Sequence, residues 1–263
     1  MNFAVRERLS PRADLFIGVA GIVSLALVWC TLTYGGYVKP LFLPTPSGIW
    51  EGMLDFQRNP NHPPWLVPAV FRSFWRVLKS LFLVVLIGVP IGVLMGTFTP
   101  VEAFLRKIVN GAKSVPATGL VGLIVLWFSI EERAKIVYLF LGAIFYMIIL
   151  VRNAVAAVNE DYVRVALDIG ARRSQVIWRV LLPGALPQIW NAIAVCNGIM
   201  WTYILLAEFI NSNEEQLGLG YLLYIGSRTQ ESGKVFGPLI VIATISSLTD
   251  FVLQWTRKRF LNW

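Results

Sequence analysis

The sequence predicts an all-α integral membrane protein with about six transmembrane helices, on the evidence of its charge content, its hydropathy and its apolar windows. Only 14% of the 263 residues are charged and 56% are hydrophobic, and the mean hydropathy is +0.65. A soluble domain carries about 25% charged residues. This chain has too few charges to cover a water-facing surface, so lipid is the expected solvent and soluble classes are excluded.

Six windows of the sequence lack Asp, Glu, Lys and Arg and have the length expected of membrane spans. A helix needs about 20 apolar residues to cross a hydrocarbon core of roughly 30 Å. The third, fourth and sixth windows are short, but flanking Lys and Arg stems can extend a span to the interface. We expect six spans, with five as the alternative, in a single transmembrane domain. The expected spans are residues 15–37, 77–99, 113–130, 135–155, 184–209 and 235–256 of the chain 1–263.

The distribution of basic residues predicts that both termini are cytoplasmic, because Lys and Arg are enriched in cytoplasmic loops. Most of the 23 Lys and Arg residues then lie on the cytoplasmic side, including Lys113 and the tail at 257–259. Arg72, Arg76 and Lys79 crowd the start of the second span and oppose this assignment. The net charge of +8 is explained mainly by topology, so no nucleic-acid partner is expected.

The second predicted span carries glycines at four-residue spacing, at Gly88, Gly92 and Gly96, with Pro90 between the first two. Glycines at this spacing share one helical face and let helices approach closely in lipid. Pro90 predicts a kink. Helix packing explains the glycines better than a substrate contact does. Near the end of the fifth span, Glu208 is expected to face protein, water or the interface, because a carboxylate is costly in hydrocarbon.

Residues that carry chemistry are scattered along the chain. The two cysteines, Cys30 and Cys196, lie in separate apolar runs without a second cysteine or a histidine nearby, which disfavours metal and redox roles. The P-loop pattern G-x-x-x-x-G-K-S/T does not occur. We therefore expect no catalysis, no cofactor and no metal site on this chain. Two alternatives are a membrane-embedded enzyme, which would need clustered acids, His or Cys at span depth, and a passive channel.

Two loops are expected to form short helices. Ser47 could cap an amphipathic helix in the loop before the second span, resting on the membrane or docking a partner. In the loop at residues 159–183, Asn159 and Ser174 could each cap a helix, Gly170 could form the turn between them, and Pro183 should break the chain before the next span. From the residues alone, this helix–turn–helix either docks a cytoplasmic partner or rests on anionic lipid. The apolar residues sharing one side of its first helix are Val163, Ala166 and Leu167.

The same loop resembles the coupling loop of permease subunits of ABC importers, whose pattern is E-A-A-x3-G-x9-I-x-L-P. All the spacings match, but Arg164 replaces the glutamate and Val165 replaces an alanine, which puts any role of the glutamate side chain in doubt. The resemblance implies that the loop docks in a groove of the cytoplasmic ATPase subunit. The implied coupling residues are Asp161, Arg164, Val165, Ala166, Gly170, Ala171, Val180, Leu182 and Pro183.

The resemblance covers nearly the whole chain and is closest to the nitrate, sulfonate, taurine and bicarbonate branch of these permeases. The run from Leu43 to Ser47 resembles the L-P-x-P motif of that branch, and Ser73 with Arg76 resembles its second-span signature. The loop around Gly218 and the C-terminal tail also match. We expect a further set of residues to line the pathway or to pack the spans. The set consists of Arg76, Gly88, Pro90, Gly92, Gly96, Trp127, Trp201 and Glu208.

The resemblance implies an assembly in the bacterial inner membrane. It contains two permease copies, two ATPase subunits that bind ATP and Mg²⁺, and a periplasmic or lipid-anchored substrate-binding protein. ATP binding would drive the spans from inward-open to outward-open. The implied substrate is a small anion, with a neutral or aromatic nutrient such as a pyrimidine precursor as the alternative. Arg76 or Lys79 could attract an anion at the outer mouth, or could instead anchor the helix at lipid headgroups.

Overall fold

A computed structural model describes residues 10–58, 60, 63–129, 131–210 and 217–261. These residues contain α-helices and a π-helical turn but no strand, which confirms the all-α class. The helices are α1 (Pro11–Tyr34), α2 (Pro46–Arg58), α3 (Leu66–Thr97), α4 (Thr99–Lys113), α5 (Ala117–Phe128), α6 (Glu132–Ala156), α7 (Glu160–Asp168), α8 (Arg173–Val176), α9 (Leu182–Ile210), α10 (Leu219–Arg228) and α11 (Ser232–Phe260). We call the two ends of the bundle the α7–α8 end and the α10 end.

Five helices, α1, α3, α6, α9 and α11, are long and apolar enough to cross a membrane, and α4 with α5 would make a sixth span. The predicted span at 113–130 is therefore not one straight helix, because α4 and α5 meet at a bend of 92°. Pro116 stands in the break, where it lacks an N–H and disfavours a helical conformation of the residue before it. Lys113, expected in a cytoplasmic loop, is the last residue of α4.

The α3 helix begins at Leu66, well before the start of the second span predicted at 77. It packs along α6 through its glycine face. A Cβ atom on Gly92 would lie 2.6 Å from Cβ of Val151, and one on Gly96 would lie 2.7 Å from Cβ of Val155. A side chain at either position would force the two helices apart. Pro90 lies inside α3, and the helix continues through it.

The outermost helices are held by a few polar contacts. The most apolar window of α6 is 56% buried, whereas that of α1 is 0% buried, so α1 lies at the periphery. The α2 helix begins at Pro46 and buries its apolar face against the protein. Its N-cap is Thr45, whose Oγ1 accepts a hydrogen bond of 3.0 Å from the backbone N–H of Gly48. The predicted cap, Ser47, instead accepts a hydrogen bond of 3.0 Å from the hydroxyl of Tyr34.

Candidate functional site

The loop between α6 and α9 forms the helix–turn–helix that its sequence predicted. Oδ1 of Asn159 accepts a hydrogen bond of 2.9 Å from the backbone N–H of Asp161 and so caps α7. At the turn, Gly170 has a φ of +88°, in the left-handed region that a side chain makes costly. The backbone N–H of Ala171 then donates to the carbonyl of Ala166 at 3.0 Å and closes the end of α7.

Two details of this loop differ from the prediction. The N-cap of α8 is Arg172 rather than Ser174, and its backbone N–H donates to Oε1 of Gln175 at 2.8 Å. Pro183 does not break the chain, because a π-helical turn over Ile177–Leu181 leads directly into α9. Proline has no N–H and its ring crowds the carbonyl four residues earlier. The wider π turn before it relieves this conflict, and residues Arg173–Phe209 form one continuous helical element.

The apolar side of α7 also differs from the prediction. Ala166 is buried, while Val163 and Leu167 line a groove with Phe98 at the end of α3. The predicted apolar ridge therefore borders a groove of the chain itself, and Leu167 stays 47% exposed. A second set of apolar side chains projects away from the bundle, and we call it the apolar loop surface. It consists of Tyr162 (65% exposed), Val165 (59%), Ile169 (81%) and Trp178 (69%).

The other predicted coupling residues lie around this surface. Arg164 is exposed and forms an ion pair of 3.0 Å with Glu160, one turn earlier in α7. Asp161 is exposed in the first turn of α7. The half-buried residues are Ala171 after the turn, Val180 in the π-helical turn, and Leu182 and Pro183 at the start of α9.

A cluster of buried charges occupies the α10 end of the bundle. Arg76 is 2% exposed, although it lies in α3, a helix long and apolar enough to cross a membrane. Its Nε and Nη2 donate to the two carboxylate oxygens of Glu132, each at 2.6 Å. Its Nη1 donates to Oε1 of Glu208 at 2.7 Å. Hydrogen bonds between charged groups in this paired geometry are among the strongest in proteins, and they join α3, α6 and α9.

Glu208 is completely buried and has further hydrogen-bond donors besides Arg76. The hydroxyl of Ser73 donates to it at 2.8 Å, and the backbone N–H of Gly220 donates at 2.9 Å. A Cβ atom on Gly218 would lie 2.5 Å from both Nη1 of Arg76 and the carboxylate of Glu208. The cluster therefore requires a residue without a side chain at 218, and it attaches the start of α10 to the three spans.

This arrangement excludes both roles considered for Arg76. A guanidinium that is buried and bound by two carboxylates neither anchors the helix at headgroups nor offers a free charge to an anion. Sequence reasoning missed Glu132, and it also missed Lys135, which is 1% exposed beside the cluster. Their only signal was their position at the start of an apolar window. Together, the cations Arg76 and Lys135 and the carboxylates of Glu132 and Glu208 carry no net formal charge.

The remaining pathway or packing candidates separate into core and surface positions. Trp201 is 1% exposed in α9, and its Nε1 has no hydrogen-bond partner among the described residues. Trp127 is 67% exposed on α5. Which of the candidates line a pathway stays a prediction. In the described part of the chain, no group of three or more His, Cys, Asp or Glu residues is placed to hold a metal ion.

Known proteins are similar to this sequence over almost its whole length. Residues 88–262 match the family model described as "Binding-protein-dependent transport system inner membrane component". The chain is 31% identical to the taurine transport system permease protein of Escherichia coli, over 98% of this chain and 92% of that protein. It is 30% identical to a putative aliphatic sulfonates transport permease protein of Bacillus subtilis, over 90% of this chain and 83% of that protein.

Solved structures share the fold at lower sequence identity. The MetNI methionine ABC transporter in an inward-facing conformation aligns with a TM-score of 0.64 and 22% identity, covering 75% of this chain and 94% of that chain. A bacterial ABC transporter that imports the acidic polysaccharide alginate aligns with a TM-score of 0.56 and 15% identity, covering 97% and 99%. With the helix–turn–helix between α6 and α9, these matches establish that the chain belongs to the family of binding-protein-dependent transport permeases, the membrane subunits of ABC importers.

Proposed function

We propose that two copies of this chain form the membrane pathway of an ATP-driven importer for a small solute that carries a sulfonate or comparable oxyanion group. The apolar loop surface is the observation that carries the transport role. Burying apolar surface away from water stabilises a protein by about 25 cal/mol per Å². Ile169, which is 81% exposed, would gain this free energy only by docking against a partner. Exposed apolar patches of this kind mark interaction sites. Relatives named for taurine, aliphatic sulfonates and bicarbonate support the substrate class.

The partner at this surface is a cytoplasmic ATPase subunit that binds ATP and Mg²⁺, so the α7–α8 end and both termini lie in the cytoplasm. The substrate-binding protein docks at the α10 end, in the periplasm. Closure of the ATPase subunits displaces α7 and α8. The displacement reaches the opposite end of the bundle because residues Arg173–Phe209 form one helical element of 37 residues, about 55 Å long. Packed helix bundles respond to such a displacement by moving between discrete arrangements.

A transport assay in proteoliposomes tests the proposal. The complex is reconstituted with its ATPase subunits and its binding protein. Uptake is then measured for taurine, ethanesulfonate, bicarbonate and the neutral pyrimidine uracil. We expect uptake of one of the first three solutes that requires both ATP and the binding protein. Uptake in the absence of the ATPase subunits would identify a passive channel instead, and uptake of uracil alone would contradict the oxyanion assignment.

A further inference from the structure

A lysine lies near the middle of the membrane-spanning bundle, at the break between α4 and α5. Lys113 is the last residue of α4, and its Nζ lies 5.9 Å from the centroid of the Tyr146 ring. Tyr146 follows Glu132 by 14 residues and precedes Ala156 by 10 residues in α6, about 21 Å and 15 Å along the helix axis. The ammonium group therefore lies beside the midpoint of the most buried span.

This position is costly for a cation unless it faces water or protein. Charged side chains at the bilayer centre are rare, and they mark substrate or ion pathways. Lys113 is exposed on the single chain, and among the described residues it is part of no ion pair. The carbonyl groups at the end of α4 offer it only partial negative charge. No carboxylate among the described residues forms an ion pair with Lys113 to supply a full negative charge.

Two tyrosines, Tyr146 and Tyr203, provide further polar groups next to the lysine. The side chain of Tyr146 lies close to that of Tyr203 on α9, and both residues are partly exposed. The Tyr203 ring then meets the ring of Tyr138 edge to face, with centroids 6.2 Å apart. The hydroxyl of Tyr138 is buried and has no hydrogen-bond partner in the described part of the chain. Phenol hydroxyls thus line α6 and α9 from the middle of the bundle toward the α10 end.

The other cation at this side of α6 differs in its electrostatic surroundings. Lys135 is buried near the carboxylates of Glu132 and Glu208, and the buried charge cluster has no net formal charge. An anion gains little by approaching a neutral cluster, because attraction and repulsion nearly cancel. Lys113 has no such compensation, so a passing anion is attracted to Lys113 and not to Lys135.

We propose that Lys113, Tyr146 and Tyr203 form the mid-membrane contact site for the oxyanion group of the transported solute. The lysine provides a compact positive charge, and the two phenol hydroxyls can donate hydrogen bonds to sulfonate or carboxylate oxygens. Interrupted spans near the bilayer midplane commonly form substrate sites in transporters, and the α4–α5 break is such an interruption. The inference rests on the proposed function and names the residues of its pathway.

The first test measures ATP-dependent uptake of taurine and ethanesulfonate by the complete reconstituted complex. K113Q should lower uptake about tenfold or more because the anion loses its charge partner at this site, whereas K113R should retain most of it. The matched control K107Q changes an exposed lysine on the same helix and should leave uptake unchanged. ATPase stimulation by the loaded binding protein should persist in K113Q, because Lys113 lies away from the apolar loop surface. Wild-type uptake by K113Q would overturn the inference while leaving the proposed function in place.

A second test asks whether position 113 meets water inside the bundle. In a C30S, C196A background, the K113C thiol should react with the membrane-impermeant anionic reagent 2-sulfonatoethyl methanethiosulfonate. The control L86C changes a side chain that is 57% exposed near the middle of α3, and it should stay unlabelled because that face meets lipid or protein. A K113C thiol that stays unreacted both with and without ATP contradicts the site. If the wild-type complex takes up only uracil, the proposed function itself fails.

Discussion

Substitution of Glu208 by Gln tests the buried charge cluster. The change removes the negative charge that Arg76 meets at 2.7 Å and replaces one carboxylate oxygen with an NH₂ group that cannot accept hydrogen bonds. Breaking a buried ion pair by removing one partner costs about 3–5 kcal/mol. Because the amide fills the same volume and keeps one acceptor oxygen, we expect the lower end, about 3 kcal/mol.

The measurement is the thermal unfolding midpoint of the purified complex in detergent, followed by intrinsic tryptophan fluorescence. In a chain of this size, 1 kcal/mol corresponds to about 2–4 °C, so E208Q should lower the midpoint by about 6–12 °C. The control is E160Q, the same chemical change in the exposed Glu160–Arg164 pair. An exposed helical pair contributes about 0.3–0.5 kcal/mol, which predicts a shift below about 2 °C. If E208Q shifts the midpoint no more than E160Q does, the cluster is not desolvated and the reasoning is wrong.

Three further predictions concern the helix contacts and the loop. Gly92→Val should prevent α3 from packing on Val151, cost about 1–3 kcal/mol and reduce the yield of folded complex, while Gly119→Ala, in open space on α5, should leave the yield unchanged. Gly170→Pro cannot keep a φ of +88°, so it should abolish uptake while the chain still inserts and the ATPase subunits still hydrolyse ATP; normal uptake would refute this. Ile169→Glu should prevent co-purification of the ATPase subunits, and Ile169→Leu should not; equal recovery of ATPase with both variants would show that the apolar loop surface is not the docking site.

Features that depend on neighbouring residues were predictable from the sequence. Asn159 caps α7, and Gly170 forms the turn after it, because capping and left-handed turns are decided within a few residues. The predicted N-cap positions are wrong by only a few residues where several neighbouring residues could serve as the cap. Thr45 caps α2 in place of Ser47, and Arg172 precedes α8 in place of Ser174. The sequence also did not show that a π-helical turn would keep the chain helical at its predicted break.

What the sequence determined by itself is the membrane class, the approximate spans and the helix–turn–helix between α6 and α9, because these depend on hydropathy and local backbone preferences. Only the tertiary structure decided the role of each charge. The carboxylates that bind Arg76 lie 56 and 132 residues away in the sequence. The residues around Arg76 in the sequence therefore could not distinguish an arginine that anchors the helix at headgroups from one that is buried in an ion pair. Lys113 looked like a loop residue until the bend placed it beside Tyr146. The free energy of a charge in a membrane depends on which distant helices surround it, and local sequence patterns do not contain that information.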